Sequence, residues 1–347
     1  MTATLDIAPD PTGDTAPPPA RARGPVTTLV GMTVALGAVL AVLLAIFILP
    51  SLRSGPHDLP VGVTGPASAV PQVEAALAAA APDAYAVQRF DSQEALVAAV
   101  HDRDVVGGFV VDGDGIRSVV TSAGGAAIAQ SLTASAQGVG TALGLAATST
   151  DVVPLPAADP AGIGIGGLAF PLVFGGIVPV VAFRTAFARR TGWRLGGLLT
   201  FSVVGGLVVA AVLRFGFGSI ETAFWPVAAA MALGIAAMAF PLTGLQEAFG
   251  GKGFTIGAMS MMFLGNPFAG IATTSAWLPS GLGAFGQILP PGATGTLVRS
   301  VAYFGGTGGL TAGLTLGAWV VVGLVVHTIG TRRGRQDAPA TALPSAA

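Results

Sequence analysis

The sequence predicts an α-helical integral membrane protein: six transmembrane helices, with a small α/β extracytoplasmic domain inserted between helices 1 and 2. Three observations predict it. Apolar residues make up 52% of the 347 residues and charged residues only 10%, where a soluble domain carries about 25% charged residues. One apolar segment is followed by a polar stretch over residues 51–162 and then by five further apolar segments. The arginines gather in alternate gaps between those segments.

Residues 1–24 are rich in Pro, Ala, Asp and Thr and can form no core, so a disordered cytoplasmic tail is expected. Transmembrane helix 1 is expected over 25–50. Its apolar run is longer than the roughly 7–15 residues of a secretory signal, and no Ala-x-Ala follows it, so it reads as an uncleaved anchor.

Residues 51–162 read as a folded domain. LPVGVTG (59–65) is a short apolar strand, and residues 70–81 place Val73, Leu77 and Ala80 on one helical face. AYAVQRF (84–90) alternates as a strand does. Ser92 can cap the helix SQEALVAAVHDRD. VVGGFVVDGDGIRSVV is two strands around Asp112-Gly113-Asp114-Gly115, a hairpin signal. Residues 128–145 form a weak Ala/Ser/Gly-rich helix, and DVVPLPAADPAG leads onward. Eleven of the 17 acidic residues lie between Asp58 and Asp159, within this domain.

A five-helix membrane domain is expected over 163–330, with spans near 163–183, 195–213, 222–245, 254–276 and 308–330. Residues 331–347 form a cytoplasmic tail. Arg21 and Arg23 precede the first span, Arg184, Arg189, Arg190 and Arg194 follow the second, Lys252 follows the fourth, and Arg332, Arg333 and Arg335 follow the sixth. By the positive-inside rule these segments and both termini are cytoplasmic and 51–162 is outside. The outer segment 277–306 is half apolar and broken by Gly and Pro, so an amphipathic or re-entrant element is expected there. The lone lysine against fifteen arginines, with the Ala and Gly richness, suggests a high-GC bacterial genome and a bacterial plasma membrane.

Few motifs carry chemistry. Cysteine is absent, and no phosphate-binding P-loop, H-E-x-x-H or G-x-S-x-G occurs, so no enzymatic activity, cofactor or metal is expected. No basic patch on a folded domain suggests nucleic acid. The G-x-G-x-x-G at 281–286 lacks the strand and long helix of a dinucleotide site and reads as a flexible outer turn. Two places remain as candidate sites. Asn266, the only asparagine, sits mid-span before Pro267, which removes a backbone donor. It reads either as a group lining a polar path or as an interhelical hydrogen bond. The loop RTAFARRTGWRLG sets Phe187 and Trp193 among Arg184, Arg189, Arg190 and Arg194. It reads either as positive-inside anchoring or as a short interfacial helix that receives a partner. Gly309, Gly313 and Gly317 make a small-xxx-small face for close helix packing.

The first span ending in LPSLRSGPHDLPVGVTG, the outer DSQEALVAAVHDRDVVGGFVVDGDG and the last outer segment with LPPGATGTLVRSVAYF resemble the ABC-2-type permease superfamily. The likeness, over about residues 25–330, is strongest to its phage-infection-protein (YhgE/Pip) and nitrosoguanidine-resistance branches. The resemblance implies a permease subunit that exports an amphiphilic or toxic compound. It would act as a homodimer, or as a heterodimer with a second permease. The resemblance implies that residues 184–194 contact an ABC ATPase, which would be a separate subunit because no nucleotide-binding motif occurs in this sequence. The alternative is a non-transporting scaffold or receptor that works through the extracytoplasmic domain.

Overall fold

A computed structural model describes residues 25–113, 115–279 and 281–336. The expected N-terminal tail with Arg21 and Arg23, and residues 337–347 of the expected C-terminal tail, lie outside the described residues. The chain divides into two units, Met1–Ala45 and Ile46–Ala347. Helix α1 (Pro25–Leu52) makes up the described part of the first and runs on into the second. It has apolar residues on every side, as a lipid-solvated helix requires.

The second unit begins with an α/β layer. β1 (Leu59–Thr64), α2 (Val70–Ala80), β2 (Tyr85–Arg89), α3 (Gln93–His101), β3 (Gly108–Asp112), β4 (Gly115–Val120), α4 (Ala126–Leu143) and β5 (Ala146–Asp151) follow in order. The strands lie as β2-β1-β3-β4-β5, all parallel except the β3–β4 hairpin, which pairs Asp112 with Gly115. Strand alternation sends Phe109 and Val111 to a core shared with α2 and α4, and Val110 to a second core beneath α3. Ser92 caps α3 by accepting from the Ala95 N–H at 3.1 Å. β5 (AATSTD) is the element the sequence reading lacks. Most of its residues are exposed, so it carries no apolar alternation to announce it.

The helical layer comprises α5 (Ile163–Gly166), α6 (Ala169–Ala186), α7 (Thr191–Ala211), α8 (Phe224–Phe263), α9 (Leu282–Ile288), α10 (Pro290–Tyr303) and α11 (Leu310–Gln336). A π-helical turn, Val212–Gly216, extends α7. Asp159 opens the layer: its carboxylate accepts from the Ile163 and Gly164 N–H groups, both at 2.8 Å, and so caps α5.

Among the described residues, five helices are long and apolar enough to cross a membrane: Pro25–Ile48, Ile163–Ala186, Thr191–Gly216, Phe224–Phe263 and Leu310–Arg333. Six were expected, and the difference lies in α8. Its backbone breaks at Gly250, with φ 67 and ψ −154, a region open essentially to glycine alone. A Cβ added at Gly257 would lie 2.7 Å from Leu245 Cδ1 and 3.0 Å from Leu242 Cδ2. A straight helix would hold residues 245 and 257 about 18 Å apart. α8 is therefore a helical hairpin, its turn inside the gap expected between the fourth and fifth spans. The returning arm ends at Phe263, and residues 264–274 are not helical, so the span expected over 254–276 is a half-length helix followed by irregular backbone. A helix needs about 20 residues to span hydrocarbon.

α8 is the centre of the bundle, with 83% of its most apolar window buried against 22–39% for the spans of α6, α7 and α11. Close approach of α11 to α8 occurs where Gly323 meets the Phe240–Pro241 backbone and Gly330 meets Glu247 and Ala248. The Gly309-Gly313-Gly317 face does not serve this role, because nothing lies within 4 Å of a Cβ at Gly317. Arg194 at the start of α7 touches Glu247 near the α8 turn, and the end of α11 lies there too. Arg184, Arg189, Arg190, Arg194, Lys252, Arg332 and Arg333 thus share one end of the bundle. The α/β layer joins the other end.

Candidate functional site

The break after α8 has a local cause. The residue before a proline is disfavoured in helical backbone, which applies to Asn266 before Pro267, and Gly270 adopts φ 60. The unwound stretch is nonetheless buried, with Ala269 and Ile271 in the main core of the bundle. Buried carbonyls need donors. Arg299 Nη2 donates to the Ile271 carbonyl at 2.8 Å, and Gln287 Nε2 donates to the Ala269 carbonyl at 3.4 Å. Gln287 is oriented by the Thr296 hydroxyl, which donates to its Oε1 at 2.6 Å. Both donors come from 277–306, which forms the short helices α9 and α10. These are packed into the bundle: Pro291 meets Gly265, Thr294 meets Gly234, and the Trp319 Nε1–H donates to the Ile288 carbonyl at 2.7 Å. The G-x-G-x-x-G at 281–286 is not a flexible turn. Gly281 is the N-cap of α9 and the rest lies within that helix, where Gly283 and Gly286 admit the carbonyls of Ser275 and Phe268.

Beside the break is a cavity of about 520 Å³. Asn266, Pro267 and Gly270 form one wall, and Phe170 of α6, Phe47 of α1 and Trp277 face them. Phe47 packs edge-on against Phe263, with ring centroids 6.2 Å apart. The Asn266 amide makes no side-chain hydrogen bond among the described residues, so no interhelical bond accounts for it. Aromatic and backbone surface around one amide suits a ligand with apolar bulk and one polar group.

The second candidate site divides. Residues 184–194 form no separate helix: Arg184 ends α6, a turn runs over 187–190, and Trp193 and Arg194 lie in the first turn of α7. Phe183, Phe187 and Trp193 stack in series with centroids 6.2 and 6.1 Å apart, along a groove of about 700 Å³. Arg184, Arg189, Arg190 and Trp193 are exposed around it. Arg194 faces inward. It is 7% exposed and donates from Nη1 to Glu247 Oε1 at 2.7 Å and from Nη2 to Thr191 Oγ1 at 3.3 Å. Buried His327 of α11 lies within electrostatic reach of this pair. Sequence reasoning missed the pair because its members stand 53 residues apart. The available signal was that Glu247 is an acidic residue in an apolar neighbourhood, which needs a partner.

Among the described residues no group of three or more His, Cys, Asp or Glu side chains is placed to hold a metal ion. No family model, curated protein or solved structure matches the chain.

Proposed function

We propose that the chain is the permease subunit of an ABC-2-type exporter in a bacterial plasma membrane, moving an amphiphilic or toxic compound and energised by a separate ATPase. The observation that carries this reading is the cavity at the α8 break, where unwound backbone and one unpaired amide meet aromatic walls. Discontinuous helices are where membrane transporters commonly build their substrate sites. The gathering of basic residues at one bundle end supports a cytoplasmic location for that end and an outer location for the α/β layer. The exposed turn with Phe187, Arg189, Arg190 and Trp193 is then the surface offered to the ATPase. Arg194, bound to Glu247, is not part of it.

Export of an amphiphilic dye from cells expressing the chain with its ATPase tests the proposal, with rates normalised to folded protein. Asn266→Leu should lower the rate at least several-fold without lowering the amount inserted, because leucine favours insertion. Undiminished normalised export removes the cavity from the path. If no ATPase co-purifies in mild detergent and no dye moves, the scaffold reading takes its place.

A further inference from the structure

A second cavity, of about 110 Å³, lies where the α/β layer meets the helical layer. A water needs roughly 10–15 Å³ of such space, so a group of several heavy atoms fits. Arg103, Thr121, Gly124 and Gly125 line it from the α/β side, and Thr274 and Ser275 from the helical side. No aspartate or glutamate lines it. Asp102 and Asp104 flank Arg103 in the chain but are exposed, and Arg103 forms no ion pair among the described residues.

The polar side chains of this cavity are one guanidinium and three hydroxyls, all able to donate. Arg103 is held in left-handed backbone at φ 63, uncommon for a non-glycine residue. Its side chain lies over the Phe304 ring at 5.0 Å and donates one bond, from Nη1 to the Thr307 carbonyl at 3.4 Å. A guanidinium has five N–H donors, so most remain for a ligand. Thr121, 6% exposed, is a buried hydroxyl residue of the lining. The Thr274 hydroxyl is buried and has no hydrogen-bond partner among the described residues. Gly125 starts the 18-residue helix α4 and supplies no side-chain cap, so the first N–H groups and the positive end of the helix dipole are left unsatisfied. Buried Arg299 adds a second positive charge nearby, with a carbonyl and no carboxylate as its partner.

We infer that this junction binds a phosphoryl group, free or on an anionic lipid headgroup, between the Arg103 guanidinium, the Thr121 and Thr274 hydroxyls and the N-terminus of α4. An occupant bonded from both sides ties the α/β layer to the segment that continues into the α8 break. The site is independent of the transport reading, since it needs neither substrate nor ATPase.

Calorimetric titration of the full chain in neutral detergent tests the inference. One arm uses inorganic phosphate against chloride at matched ionic strength, and the other uses phosphatidylglycerol against phosphatidylcholine in mixed micelles. Saturable binding is expected in at least one arm: the first identifies a free anion, the second alone a lipid. Affinity should fall tenfold or more in Arg103→Gln and in the near-isosteric Thr121→Val, and stay unchanged in Arg117→Gln, whose arginine pairs with Asp112 at the surface. Thr121→Val keeps the test valid if Arg103→Gln fails to fold. Absence of saturable binding in both arms, undiminished affinity in Thr121→Val, or an equal loss in Arg117→Gln overturns the site.

Discussion

At the residue scale, Arg194 and Asp159 are each held by specific partners. Glu247→Gln leaves the Arg194 guanidinium buried without a counter-charge. Breaking one side of a buried pair costs about 3–5 kcal/mol, so a clear loss of thermal stability in detergent is expected. Arg194→Met combined with Glu247→Leu should restore much of it, and a double variant no better than the single would show that the pair has no special coupling. Asp159 has the opposite kind of environment. Burial pushes its carboxyl up, but the N–H groups of Gly164 and Ile163, both 2.8 Å from its oxygens, help to hold it below the ordinary value of 3.8. A depressed folded-state pKa stabilises above the unfolded value and is lost as pH falls through the folded one. Its contribution is thus complete at neutral pH and disappears only below about pH 4. Asp159→Asn should flatten the acid limb of the stability profile. An unchanged limb would assign acid sensitivity elsewhere.

At the element scale, the fold was legible where local chemistry and burial agree. Ser92 caps α3 as read, and Asp112 to Gly115 turn the β3–β4 hairpin as read. β5 was not legible because an exposed edge strand of Ala, Ser and Thr resembles a loop. The spans near α6, α7 and α11 follow from hydropathy alone. Hydropathy also extended a span through 264–276, because it does not register that Asn266-Pro267 and Gly270 resist helix. Of the candidate site residues, Asn266 stood out by being unique, whereas Gln287 and Arg299, which hold the break, are ordinary in sequence. The α8 turn can be tested by one contrast. Gly250→Ala meets no atom within 4 Å, yet should cost about 1–3 kcal/mol from backbone strain alone. Gly253→Ala would bring a Cβ to 2.5 Å from the Leu245 carbonyl and should force the two arms apart. Equal melting of Gly250→Ala and wild type would show that the turn is not where the strain lies.

At the scale of the whole molecule, the sidedness follows from charge. Reporter fusions within the β3–β4 turn at Gly113 and after Arg335 should report opposite compartments. The same compartment for both would undo the proposed topology and the export reading with it. The broken segment adds a constraint on any motion. Its inner residues Ala269 and Ile271 are buried, and the donors to their carbonyls sit on α9 and α10. Shifting that helix pair strips these carbonyls of partners unless solvent arrives at the same moment. Opening at this point is therefore a hydration event, and its barrier should respond to water activity, rising in osmolyte and falling as polar side chains are added around the break.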